Sequence, residues 1–205
     1  MKRRRAEARS ADIETALRGC GWERALTRRD AVAQSGLVGF GLACGITGAV
    51  ADPADERPQE GDQLVAADGA RFTALTPGDI PASPILAWPM EPGSNLVRSG
   101  SRLNKVVLVR LDPATLKERT ETRAADGVVA YSAICPHAGC EVNGWVAEQN
   151  ILECPCHNSR YDPSNAAAIV DGPTTRSLAA LPLRIADGKL VVAGPFVGRL
   201  GIAPT

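Results

Sequence analysis

"CPHAGC" at residues 135–140 and "CPCHNSRYD" at residues 154–162 hold both histidines of this 205-residue chain and four of its six cysteines. In the first stretch one residue separates Cys135 from His137. In the second, one residue separates Cys154 from Cys156, and His157 follows directly. Pro136 and Pro155 stiffen the two pieces, and Gly139 allows a backbone conformation that other residues resist. "GVVAYSAI" (127–134) runs into the first stretch and "NILEC" (150–154) into the second. Both runs read as strands, so each group of scarce side chains stands in a tight loop at a strand end.

The same grammar extends outward. "LVAADGARFTAL" (64–75) reads as a hairpin around Asp68-Gly69, and "KVVLVRL" (105–111) as a strand. "AAAIV" (166–170), "LPLRIADGKLVVAG" (181–194) and "FVGRL" (196–200) continue the series, with Asp187-Gly188 as a hairpin turn. Twenty glycines and fifteen prolines favour many turns over long helices. Hydrophobic residues make up 44% of the chain and aromatics only 4%, so the core must be mostly aliphatic. These features predict an antiparallel all-β fold. Residues 81–102 have no clean period and read as a long surface excursion. "PATLKERTETRAAD" (113–126) reads as a short helix or a charged loop.

The net charge is zero but uneven. Residues 1–29 carry nine Lys/Arg against four Asp/Glu, and residues 30–205 carry fourteen against nineteen. An acidic body lacks the basic face that phosphate contacts need, which excludes a nucleic-acid binder. No charge occurs from residue 31 to 51. A basic flank, an apolar stretch and the small-x-small ending Ala49-Val50-Ala51 describe an export signal. Arg28-Arg29 after Thr27 resembles the twin-arginine signal, whose cargo crosses the membrane folded. Four glycines between residues 36 and 45 make this a poor soluble helix. Kept uncleaved, the stretch is long enough to anchor the chain in a membrane. The expected organisation is therefore a signal or signal-anchor helix over 1–51, a polar linker over 52–62, and a domain over 63–205 with its site loops within 127–176.

Three readings of the two loops compete. The thiols and imidazoles are unrelated core and surface residues, or they hold a structural zinc, or they hold an iron–sulfur cluster. Zinc ligand pairs are usually spaced by two to four residues. Two thiolates on one iron and two imidazoles on the other is the Rieske arrangement of a [2Fe–2S] cluster. The paired pattern CxHxGC and CPCHxS resembles the Rieske family, closely over residues 127–194 and loosely over 62–200. The resemblance implies an antiparallel β-sandwich with a small cluster-binding subdomain. It implies that Cys135 and Cys154 hold an inner iron, and that His137 and His157 hold an outer iron where electrons and protons leave. It also implies a disulfide between Cys140 and Cys156, which an exported protein can keep and which marks the high-potential branch of the family. By the same resemblance Ser159 donates to a bridging sulfide and Tyr161 to a ligand sulfur, raising the reduction potential. "GPTT" (172–175) matches a third, covering loop. Asn158 stands where a Gly is usual, Thr175 where a second Pro is common, and residues 163–171 form a longer segment than usual.

The implied function is one-electron transfer, as the iron–sulfur subunit of an exported or membrane-bound oxidoreductase such as a quinol–cytochrome c reductase. An arsenite-oxidase-like small subunit or a stand-alone carrier are the alternatives. The partners would be a quinol site or a metalloenzyme large subunit as donor, and a cytochrome or copper protein as acceptor, on the periplasmic side of a bacterial inner membrane.

Overall fold

The computed structural model describes residues 52–69 and 72–202. The expected export or anchor helix at 1–51 lies outside the described residues. Among the described residues, no helix is long and apolar enough to cross a membrane.

Among the described residues eleven strands carry the fold: β1 (Gln63–Ala66), β2 (Ile85–Glu91), β3 (Leu96–Val97), β4 (Val106–Arg110), β5 (Val128–Ser132), β6 (Gly144–Val146), β7 (Ile151–Cys154), β8 (Ser159–Asp162), β9 (Ala168–Asp171), β10 (Leu183–Ala186) and β11 (Lys189–Val192). Every strand pairing is antiparallel. Seven strands form one sheet in the order β10-β11-β1-β2-β4-β5, with β3 pairing to β2. Four form a second sheet in the order β6-β7-β8-β9. The large sheet curls back on itself. Ser132 donates its N–H to the Ala179 carbonyl and Leu181 to that of Ala130, which lays the approach to β10 along the free edge of β5.

β4 and β5 explain how the two sheets join. Their sequences, "VVLVR" and "VVAYS", are half β-branched and bury nearly every side chain. Successive side chains on a strand point to opposite faces. Val106 and Leu108 therefore pack with Leu64, Val128 and Leu190 inside the large sheet. Val107 and Val109 pack on the other face with Tyr131, Leu152 and Tyr161, which belong to the layer beneath the small sheet. One strand pair thus serves two cores. Losing a buried Leu at either, such as Leu152→Ala, costs roughly 2–5 kcal/mol.

Asp187 and Gly188 both have positive φ, +50° and +72°, and close β10 on β11 in the two-residue turn that sequence predicts. The predicted 64–75 hairpin is reduced to a single bridge, Val65 to Ala74, because β1 spends its pairing on β2 and β11. The largest departure is residues 81–102. They are no surface excursion: β2 is an interior strand between β1 and β4. Pro89 hides it from a sequence reading, since proline donates nothing to a ladder. It is accommodated because β4 pairs only with residues 85–87, and beyond them the far edge of β2 turns to β3 and to the Arg98 N–H, which donates to the Pro89 carbonyl. Residues 113–126 hold a 3-10 turn (Pro113–Thr115) and one short α-helix, α1 (Glu118–Glu121).

Residues 52–62 are docked on the body. Arg98 Nε sits 2.6 Å from Asp62 Oδ2, with both side chains buried. Asn104 donates to the Glu56 carbonyl and accepts from Arg57, and the Gly61 N–H donates to Val192.

Candidate metal centre

The small sheet presents two loops at one end. Residues 135–140 follow β5. The Cys135 N–H donates to the Cys140 carbonyl at 2.8 Å, and the Gly139 N–H returns to the Cys135 carbonyl at 2.9 Å. Gly139 makes this tight loop possible with φ +73°. Arg102, remote in sequence, donates to the Gly139 carbonyl and fastens the loop from outside. The second loop joins β7 to β8, where Cys154 stands directly opposite Ser159. Asn158 takes the left-handed conformation there, φ +55°, which Asn tolerates better than most residues.

Cys140 and Cys156 are joined in a disulfide that ties the loops together. Cys135 and Cys154 are free and buried, at 1% exposure each. The His137 and His157 rings lie with centroids 4.7 Å apart and planes perpendicular. His137 is half-buried and His157 exposed. The site therefore grades from sealed sulfur to open imidazole. The Cys154 sulfur lies within 4.8 Å of the Cys140 and Cys156 sulfurs. Those two are bonded to each other and offer no thiolate, whereas Cys135 and Cys154 keep free thiols.

Tyr161 is fully buried, and its hydroxyl lies 3.2 Å from Cys135 Sγ. Burial pushes the Tyr161 phenol up, and the neighbouring Cys135 adds to it. Burial also pushes the Cys154 thiol up, with Cys135 contributing in the same sense. A buried thiol that resists ionising, with a second buried free thiol beside it, fits a place where a positive metal supplies the compensating charge.

Ser159 makes a second argument. It is 0% exposed and its Oγ has no hydrogen-bond partner among the described residues. A buried hydroxyl left unpaired costs about 1–3 kcal/mol. Beside Cys154 it fits a donor waiting for an acceptor such as a cluster sulfur. The third loop closes the site. Gly172 has φ +92°, and a Cβ there would stand 2.5 Å from Ser159 Cα. The "GPTT" loop therefore presses directly on the backbone that carries Ser159.

All eight residues that sequence singles out come together here: Cys135, His137, Cys140, Cys154, Cys156, His157, Ser159 and Tyr161. Arg102 and Ile202, whose side chain covers Gly139, were not legible. Both reach the loop only through tertiary folding, and no local pattern marks them.

Part of the chain is similar to known proteins. Residues 101–182 match the model of the Rieske [2Fe-2S] domain. A Haloferax mediterranei protein named "Putative respiratory nitrate reductase subunit Rieske" is 43% identical over 84 residues, which are 40% of this chain and 37% of that one. The cytochrome bc1 complex Rieske iron-sulfur subunit of Streptomyces lividans is 33% identical over 100 residues, 48% of this chain and 59% of that subunit. The chain thus spans well under two thirds of these relatives. Among solved structures, the soluble domain of Rieske protein II from Sulfolobus acidocaldarius aligns with a TM-score of 0.36 at 21% identity, covering 49% of this chain and 68% of that domain.

Proposed function

We propose that this chain, whose residues 101–182 are a Rieske [2Fe–2S] domain homologous to cytochrome bc1 Rieske iron–sulfur subunits, carries single electrons as the iron–sulfur subunit of an exported or membrane-bound oxidoreductase such as a quinol–cytochrome c reductase. One observation carries the reading. Two loops tied by Cys140–Cys156 place two buried free thiols behind two converging imidazoles. When bound, the cluster supplies one-electron chemistry at an iron pair held by two thiolates and two imidazoles.

The side chains then divide the work. Cys135 and Cys154 would hold the inner iron out of water. His137 and His157 would hold the outer iron, and their outward nitrogens would meet the donor and exchange protons with it. The Tyr161 hydroxyl, 3.2 Å from Cys135 Sγ, would donate to that sulfur. The Ser159 hydroxyl would donate to a cluster sulfide. Both bonds favour the more electron-rich state and raise the potential. Residues 1–51 would direct export by the twin-arginine route and, uncleaved, anchor the subunit. The donor would be a quinol site, and the acceptor a cytochrome or copper protein. The Haloferax relative favours a second reading of the donor, a metalloenzyme large subunit.

The test is the visible and EPR spectrum of the dithionite-reduced protein. The parent should show the Rieske signal, and His157→Ala should lose it. A normal signal in that variant overturns the ligand assignment, and a colourless zinc-loaded protein overturns the redox reading. Purification of the native complex identifies the donor.

A further inference from the structure

Four arginines from three distant parts of the chain line one pocket of about 380 Å³. Arg119 and Arg123 come from α1 and the turn that follows it, Arg176 from just past the third loop, and Arg199 from the C-terminal stretch. Among the described residues no carboxylate lines the pocket. Among the described residues none of the four forms an ion pair, although Arg98, Arg110 and Arg160 each have an acidic partner. This happens on a body with more Asp and Glu than Lys and Arg. Glu118 and Glu121 stand in the same short helix but do not line the pocket.

The arrangement is costly without a counter-charge. Arg119 and Arg123 are like charges lining the same pocket, and like charges repel. Arg176 donates to the Gly201 carbonyl, yet its Nε and Nη1 are buried with no hydrogen-bond partner among the described residues. Guanidinium groups meet phosphate and sulfate oxygens in paired, charge-assisted bonds that ammonium groups cannot reproduce.

We infer that this pocket binds a tetrahedral oxyanion of the phosphate class, either a free ion or the phosphate of an anionic lipid headgroup. The bound anion neutralises the arginines that line the pocket. Nothing in this site belongs to the thiol and imidazole centre.

The test uses the full chain with its cluster in place, and a double variant, Arg119→Gln with Arg199→Gln. Both of these side chains are exposed, so the fold should tolerate the change. An unchanged visible spectrum and melting temperature certify that it does. Titration calorimetry with inorganic phosphate at low ionic strength should show saturable binding to the parent, weakened about tenfold or more in the variant. Sedimentation with phosphatidylglycerol vesicles, against phosphatidylcholine controls, reads the lipid source. The basic N-terminal residues are common to both proteins, so the difference between parent and variant isolates the pocket. A loss seen with phosphate supports the free ion, and a loss seen only with phosphatidylglycerol vesicles supports the headgroup. Equal behaviour of parent and variant in both assays overturns the inference. So does a loss of polyglutamate binding with no change for phosphate or vesicles, which gives the pocket to an acidic protein. Should the double variant fail to fold, Arg119→Lys, which keeps the charge but not the fork, should still lose phosphate affinity. Full affinity in that variant overturns the proposed guanidinium contact.

Discussion

Ser159 carries the most specific expectation that a single residue offers. Its Oγ is sealed and unpartnered, while the hydroxyl of Tyr161 already touches Cys135 Sγ. If each donates to a sulfur, each bond strengthens when the cluster gains an electron. A differential of about 1–2 kcal/mol corresponds to ~40–90 mV for one electron. Ser159→Ala and Tyr161→Phe should each keep the cluster and lower the midpoint potential by that order in film voltammetry. An unchanged potential removes the role. Tyr131 offers an independent check on packing. Its hydroxyl donates to the Pro163 carbonyl at 2.7 Å, and burial pushes its phenol up to about 12. The unfolded chain would lose that proton near pH 10, so the folded state is favoured fully below pH 10. The advantage, roughly 2–3 kcal/mol, is lost as pH rises from 10 to 12. Tyr131→Phe should flatten the alkaline fall of the melting temperature relative to the parent. A parallel fall in both proteins would refute the assignment.

Elements bring these residues into register, and here the sequence is legible in part. The two loops could be read because cysteine and histidine are scarce in this chain and fall at fixed spacings beside strands. The interior position of β2 could not. Pro89 breaks the alternation that announces a strand, and only the tertiary arrangement shows that its missing N–H is tolerated where β4 has already ended. Arg102 and the C-terminal cover of Gly139 were equally silent, since long-range contacts leave no local period. The third loop was visible as a Gly-Pro motif, but its tightness was not. Gly172→Ala would force a Cβ to within 2.5 Å of Ser159 Cα at a backbone angle L residues avoid. It should lower the melting temperature and reduce cluster loading, measured as iron per chain. A fully loaded variant of parental stability would show that the loop yields freely. The disulfide acts on the same pair of loops. Bridging residues 16 apart, it restrains the unfolded chain by roughly 3 kcal/mol. Cys140→Ser with Cys156→Ser should lose stability of that order in denaturant titration. The loss should exceed any loss in iron content, because both sulfurs are tied up in the disulfide and neither is among the proposed ligands.

At the scale of the whole molecule, the question is where the body begins. Composition marks residues 52–62 as a polar linker, yet the segment is stitched down by backbone and side-chain bonds to Asn104, Val192 and Arg98. Polar residues are as well suited to a docked strap as to a free tether, and sequence alone does not separate the two. The decisive contact is the Asp62–Arg98 pair, with side chains 3% and 5% exposed. A buried pair adds little net stability over an apolar one, but removing one partner strands a charge and costs about 3–5 kcal/mol. A chain started at Asp52 should therefore fold and load its cluster like the full chain. One started at Gln63 deletes Asp62, leaves the Arg98 guanidinium buried without its carboxylate, and should be destabilised by that order. Arg98→Met in the shorter chain removes the stranded charge and should restore much of the loss. Recovery would place the cost in the ion pair. Continued instability would place it in the backbone bonds of the strap, and equal stability of the two truncations would show that the body truly begins at Gln63.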